Sequence, residues 1–328
     1  MKKICLRSFL LIIIFFRIII VVISGYLINT EIFMNQDKKW IRFLKSQENA
    51  QIDTTYEKKS NKEINYQITN GKLYYFDKSI LDTEYHFFVY DYQYRTNIEL
   101  PFVPSYNFCV IDNYIYYEVF ENQKKCIKYR ILSMPEHDYC LKEGVGDWIF
   151  DNEDIIYSTK EDNCVNFFHL SIYYRDVEGE IEAMELSSDE NYGWDMRYCF
   201  NGLIVFESCY SSNLKCYDKK SKVWKEISYI PSATEPYYFG VKKQQYVGNY
   251  VVFCGTMMDS TRTAIAGTYE LKNEPQNGVW VLDITSGKTT HIQTGYIYNL
   301  YVLNGEIYGM MEYGFGGMLD KMEVIDLP

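Results

Sequence analysis

The residue types that carry chemistry are all present in this chain, but without the spacing that would set them to work. His86, His137, His169 and His291 fall in four separate stretches with no paired spacing, so no transition-metal site is predicted. Asp151-Asn152-Glu153-Asp154 and Glu161-Asp162-Asn163 would meet over one strand pair and hold Ca²⁺, yet they lack the ordered Asp-x-Asp-x-Asp-Gly pattern of a calcium loop. They read as solvated turn charges. No serine sits in a Gly-x-Ser-x-Gly elbow. Tyr313-Gly314-Phe315-Gly316-Gly317 has neither the Lys-Ser/Thr nor the following helix of a phosphate loop. No catalytic residue, metal ligand or cofactor is assigned.

The remaining signals point to binding. Two stretches are longer than a hairpin needs, Gly255–Gly278 and Tyr313–Gly317, and long loops on a rigid scaffold are where function concentrates. Within them Met257, Met258, Tyr269, Tyr313 and Phe315 offer adaptable apolar contact, while Asp259 and Arg262 can fix a partner's register. These seven are the predicted binding residues. The 33 Tyr are also candidate stacking platforms for sugars or cations, although most sit in strand-like runs where core packing accounts for them. Of nine Cys, Cys5 lies in an apolar N-terminal run. Cys209 with Cys216, and Cys126 with Cys140, could face across hairpins, but free and mostly buried thiols are expected.

The elements that must position these residues are strands, since aromatic and β-branched enrichment fits a pleated surface. A turn followed by a short apolar strand recurs six times, anchored at Leu73, Ile115, Ile155, Ile204, Val251 and Ile307, with spacings of 42, 40, 49, 47 and 56 residues. Asn70-Gly71, Asn201-Gly202 and Asn304-Gly305 are the clearest turns, because a tight I′ hairpin needs positive φ at both central residues. Further turns close a third strand at Asp91, Asp218 and Asp283, and a fourth follows at Ile98–Phe102, Val223–Ile227 and Thr289–Gln293. Four antiparallel strands recurring at this period predict an all-β fold, a six-bladed β-propeller over 51–328. The last copy lacks an outer strand, and Gln51–Lys59 is the expected donor.

The alternation of Asn-Gly-x-Ile-Tyr hairpins with Val-x-Asp-x-x-Ser-Gly-Lys turns resembles the bacterial extracytoplasmic β-propeller domains of unknown function related to the low-density-lipoprotein-receptor type. The likeness covers roughly residues 63–328 and lacks that type's Tyr-Trp-Thr-Asp tetrapeptide. It implies a binding or scaffold role and transfers no catalytic residue.

Ahead of the repeats, Ile4–Ile28 is almost continuously apolar, and 25 residues at about 1.5 Å rise cross a hydrocarbon core of roughly 30 Å. Lys2, Lys3 and Arg7 keep the N-terminus cytoplasmic, so 1–28 is predicted to be a signal-anchor with the rest of the chain outside; a cleaved signal peptide near Ser24-Gly25 is the competing reading. Residues 29–50 are patterned as an amphipathic helix and predicted to form a juxtamembrane stalk, with Trp40 either near the headgroups or on a stalk that stands clear of the membrane. Residues 1–45 hold eight basic side chains against Glu31 and Asp37, so a total of −11 leaves the remainder at −17. A body that acidic repels phosphate backbones and excludes nucleic acid as partner. The predicted function is a membrane-anchored binding or scaffold propeller for a protein, peptide or glycan. The alternative is a glycan-active hydrolase or lyase in the central funnel, marked by charged side chains converging at its mouth.

Overall fold

Leu203-Ile204-Val205-Phe206 is apolar at every position, which suits a strand buried on both faces. A computed structural model shows the two faces. Ile204 and Phe206 pack with Ile149, Trp194 and Met196, while Val205 joins Leu214, Phe239 and Phe253 on the other side. The run Val251-Val252-Phe253-Cys254 divides the same way: Val251 and Phe253 face one neighbouring sheet, Val252 and Cys254 the other. Each repeat is thus a sheet sandwiched between two others.

The structure describes residues 38–47, 52–55, 58, 61, 64–77, 84–105, 107–151, 154–160, 170–176, 179–186, 194–208, 213–231, 233–264, 267–271, 273–311 and 321–325. The expected span, 1–28, lies outside these residues; among those described, no helix is long and apolar enough to cross a membrane.

Six antiparallel sheets follow one another along the chain. The first comprises Tyr66–Thr69, Lys72–Asp77, His86–Asp91 and Thr96–Glu99; the second Phe108–Ile111, Tyr114–Glu121, Lys124–Ile131 and Met134–Glu143. The third comprises Val145–Asp151, Asp154–Lys160, Leu170–Asp176 and Gly179–Leu186; the fourth Trp194–Phe200, Leu203–Ser208, Asn213–Asp218 and Val223–Ser228. In the fifth, Tyr237–Val247, Tyr250–Ala264, Gly278–Asp283 and Lys288–Thr294 are joined by Gly267–Leu271, which pairs with Tyr250–Ala264. The sixth has Ile297–Leu303, Glu306–Met311 and Lys321–Ile325.

The turns are those the residue types demand. Asn70-Gly71, Asn201-Gly202 and Asn304-Gly305 all have positive φ, as a type I′ hairpin requires. Asp91, Asp218 and Asp283 each accept backbone N–H bonds on Oδ1 from the residues two and three further on. Each of those turns ends on a left-handed residue, Arg95, Lys222 or Gly287.

The sheets pack in a ring, which makes the arrangement a β-propeller. Phe87, Phe108 and Tyr117 fill the first interface; Ile127, Trp148 and Phe150 the second; Ile156, Trp194 and Phe206 the third. Tyr246 and Phe253 lie in the fourth, and one large cluster joins the fifth, sixth and first sheets. Side chains on the first, innermost strands stitch neighbours together. Gln67 Nε2 donates to Val110 O at 2.6 Å and its Oε1 accepts from Val110 N at 2.7 Å; Met196 N donates to Asp147 Oδ2 at 3.2 Å; Gln245 Nε2 donates to Leu300 O at 3.3 Å.

Two expectations require correction. Among the described residues four sheets are regular four-stranded meanders, not six: the fifth carries an extra strand and the sixth has three. Nor do the described residues of Gln51–Lys59, 52–55 and 58, add an outer strand. These residues turn inward, where Thr54 N donates to Ile68 O and Thr54 Oγ1 accepts from Ile68 N, both at 2.7 Å. Thr54 thereby engages the innermost strand of the first sheet.

The seam between the sixth and first sheets is filled by a helix over 38–46. Trp40 is 1 % exposed and stacks on Tyr301 of the sixth sheet with centroids 4.5 Å apart, its edge meeting Tyr66 of the first. Leu44 is fully buried beside it, Tyr92 Oη donates to Leu44 O, and Lys45 Nζ donates to Tyr75 Oη at 2.6 Å. The amphipathic pattern was legible, but its apolar stripe faces the propeller core, so Trp40 is a core residue and not a headgroup anchor.

Candidate functional site

The axis of a propeller is where its innermost strands converge, and here the chain occupies its own axis. From Thr54 on the first sheet, the segment reaches Lys58, whose Nζ donates to Ile64 O and lies 4.5 Å over the Phe108 ring of the second sheet. It then reaches Asn61, which bridges to Tyr198 of the fourth sheet and donates through Nδ2 to Tyr246 O of the fifth at 3.1 Å. Lys58 is 3 % exposed and Asn61 fully buried. Next to Asn61, Tyr246 Oη accepts from Gln244 Nε2, and Gln244 Oε1 accepts from Tyr229 Oη at 3.0 Å. Burial, followed by the charge of Glu207, pushes the Tyr229 phenol well above its ordinary range.

In an up-and-down sheet, connections of the same rank lie at the same end. The end where chains enter the innermost strands also carries the second-to-third-strand hairpins, and there the charged residues gather. Lys125 Nζ stands 3.6 Å from Glu118 Oε2 and 3.9 Å from Asp147 Oδ1. Glu118 Oε2 also accepts from Trp148 Nε1 at 3.2 Å and Asn107 Nδ2 at 3.4 Å. Asp147 holds Met196 N on the next sheet, and beyond it Arg197 pairs with Asp195 at 3.1 Å and Glu207 at 3.0 Å. Lys215 Nζ lies 4.7 Å over the Trp194 ring. The result is a partly exposed rim of alternating charge across the second, third and fourth sheets.

The predicted binding residues are placed differently from expectation. Gly255–Gly278 is not a loop: its first half extends the strand Tyr250–Ala264, held by Tyr237–Val247 on one edge and by Gly267–Leu271 on the other. Met257, Met258 and Asp259 are consequently buried, at 6, 9 and 4 % exposure, with Met257 in the core beside Phe239 and Phe253. Asp259 Oδ1 accepts from Thr261 N and Oγ1, so it serves the hairpin's own geometry. Arg262 and Tyr269 lie on the hairpin's two strands. Tyr313 and Phe315 lie outside the described residues.

Asp151, expected to be a solvated turn charge, is buried and paired with Lys219 at 2.9 Å, because its hairpin end is covered by the fourth sheet. His86 pairs with Glu99, and His291 stacks on Trp280 at 4.4 Å. Among the described residues the six cysteines form no disulfide and five of them are buried, and burial pushes the Cys216 and Cys254 thiols up to about 12. Cys209 lies outside the described residues.

Sequence reasoning missed the axial segment and the rim. Their members are single polar residues scattered through apolar strands; the clearest advance signal was an isolated acid next to a Trp, Asp147-Trp148, at the start of a strand.

No family model matches the chain, and no curated protein matches it. Solved structures it resembles include the β-propeller domain of the Trilobed protease from Pyrococcus furiosus, described as having an open velcro topology, at 13 % identity over 78 % of this chain and 76 % of that one, TM-score 0.47. TolB from Acinetobacter baumannii aligns at 14 % identity over 75 % and 59 %, TM-score 0.43. An acylaminoacyl peptidase from Pyrococcus horikoshii aligns at 12 % over 78 % and 42 %, TM-score 0.44. The propeller assignment rests on the ring of sheets and not on these likenesses.

Proposed function

We propose that this chain is a membrane-anchored, extracytoplasmic binding or scaffold propeller of six blades, the five- and three-stranded sheets being the fifth and sixth. One observation carries the binding reading: the axial channel, where a funnel enzyme would admit substrate, is occupied by Thr54, Lys58 and Asn61, with Thr54 and Asn61 bonded to the surrounding strands and Lys58 lying over the Phe108 ring. Partners are then met on the rim face, which the hairpin of Tyr250–Ala264 and Gly267–Leu271 shares through its second-to-third-strand rank. On this reading Arg262 and Tyr269, on the two strands of that hairpin, contribute to the surface, and Tyr313 and Phe315, outside the described residues, would join it because they fall in sequence between Glu306–Met311 and Lys321–Ile325. The kinship with propellers of the low-density-lipoprotein-receptor type belongs to the same proposal.

A second reading, a glycan-active hydrolase or lyase, is favoured by the convergence of Glu118 and Asp147 on Lys125. Against it, Glu118 Oε2 and Asp147 Oδ2 are already engaged by Trp148, Asn107 and Met196, which suits a structural tie better than an acid–base pair awaiting substrate. To test this, a photocrosslinking residue is placed at Tyr269 and, on the opposite face, at Tyr94 in the full chain in cells. Crosslinks at 269 and none at 94 are expected. Crosslinks at neither position would overturn the surface assignment, and release of reducing ends from wall glycan that disappears in Glu118→Gln would establish the enzyme.

A further inference from the structure

Most tyrosines at the seam and axis spend their hydroxyls inside the protein: Tyr75 on Asn97, Tyr92 on Leu44 O, Tyr229 on Gln244. Four on the second sheet do not. Tyr114 and Tyr116 on one strand, Tyr129 on the next and Tyr139 on the outermost lie on a single face, since Tyr116 pairs with Tyr129 and Tyr129 with Tyr139. Tyr114 meets Tyr129 edge-on at 5.9 Å, Tyr116 lies 5.9 Å from Tyr129, and Tyr139 stacks on Tyr129 at 5.1 Å. Tyr114 and Tyr139 are 40 and 41 % exposed. None of the four hydroxyls has a hydrogen-bond partner among the described residues.

We infer that this tyrosine platform is a binding site for a neutral saccharide chain, separate from the rim face. An aromatic face carries negative quadrupole density and attracts the polarised C–H groups of a sugar ring, while free phenol hydroxyls at the ring edges match its hydroxyls. Three cations of this sheet are committed elsewhere: Arg130 pairs with Asp138, Lys128 with Glu121, and Lys125 with Glu118. A body with net charge −17 outside residues 1–45, from −11 overall, also disfavours polyanions. The size of the patch separates a glycan from a folded partner. Two rings about 40 % exposed, each burying roughly 200 Å² when covered, and two half-buried ones offer on the order of 250 Å², well short of the roughly 800 Å² per partner of a stable protein interface.

The test is isothermal titration of the full chain, in a detergent without a sugar headgroup, with cellohexaose, maltohexaose, chitohexaose and hexagalacturonate. Saturable binding of at least one neutral hexaose is expected, unaffected by salt. Tyr139→Ala and Tyr114→Ala should each weaken it by about fivefold or more, and Tyr139→Phe, which keeps the ring, by less. All three variants should melt as the parent does, because the positions are exposed. Absence of binding to every neutral hexaose, tighter binding of hexagalacturonate, affinity unchanged in the two alanine variants, or self-association that Tyr139→Ala abolishes would each overturn the assignment.

Discussion

Asp283 illustrates how a single side chain shapes this molecule. The Ser286 hydroxyl and the backbone N–H groups of Thr285 and Ser286 all donate to its carboxylate, holding its pKa below the usual 3.8. Asp218 makes the same bonds one sheet earlier and shifts the same way, led by Ser221. A carboxylate depressed in the folded state contributes stability that is present above its unfolded pKa and lost as pH falls through the folded value. Asp283→Asn keeps the turn's acceptor and removes the charge. Its melting temperature should therefore lie slightly below that of the parent near neutral pH, with the gap closing below about pH 3.8. The effect is small because solvent screens so exposed a group. Thermal melts of both proteins across that range decide it, and a gap that stays constant with pH would show that the charge is idle.

At the scale of elements, the helix over 38–46 replaces what a strand was expected to do. Strand closure shares a sheet between the two ends of a chain; here the first and sixth sheets are instead joined by rings, Trp40 lying between Tyr301 and Tyr66. A helix can fill such a seam because one turn presents Trp40 and Leu44, four residues apart, on the same side. Trp40→Ala should cost about 3–5 kcal/mol, as removal of a large buried aromatic commonly does. Urea denaturation of the full chain measures this directly. A loss below about 1 kcal/mol would mean that the ring closes without the helix.

For the whole molecule, the helix docking also bears on where the propeller sits. If 4–28 crosses the membrane, only residues 29–37 separate the span from a helix fixed to the propeller, a reach of at most about 30 Å. The body would then be held close to the bilayer. On the same proposal, Lys2, Lys3 and Arg7 on the N-terminal flank would place that body outside. Protease added to intact cells should accordingly destroy a C-terminal tag, read by immunoblot. A tag that survives until the cells are lysed would reverse the orientation.

Local chemistry alone determined the turns, the strands and the repeat. Asn-Gly dictates its hairpin because few other residues accept two successive positive φ angles, and Asp-x-x-Ser-Gly dictates the next turn through bonds spanning two or three residues. The continuous apolar runs at Ile204 and Val251 encode burial on both faces, and a turn-and-strand unit that returns every 40 to 56 residues is what a ring of sheets requires. What only the tertiary structure decided are matters of long range. Nothing near Asn61 announces Tyr246, 185 residues away, and nothing near Asp147 announces Met196. Trp40 and Leu44 have the pattern of any amphipathic helix, and the pattern does not say whether water, lipid or protein covers the stripe. Its length, greater than a hairpin needs, makes the stretch after Gly255 read as a loop in the sequence. It is strand because Tyr237–Gly240 and Gly267–Leu271 supply hydrogen-bonding edges on both sides, and such pairing overrides what length alone suggests.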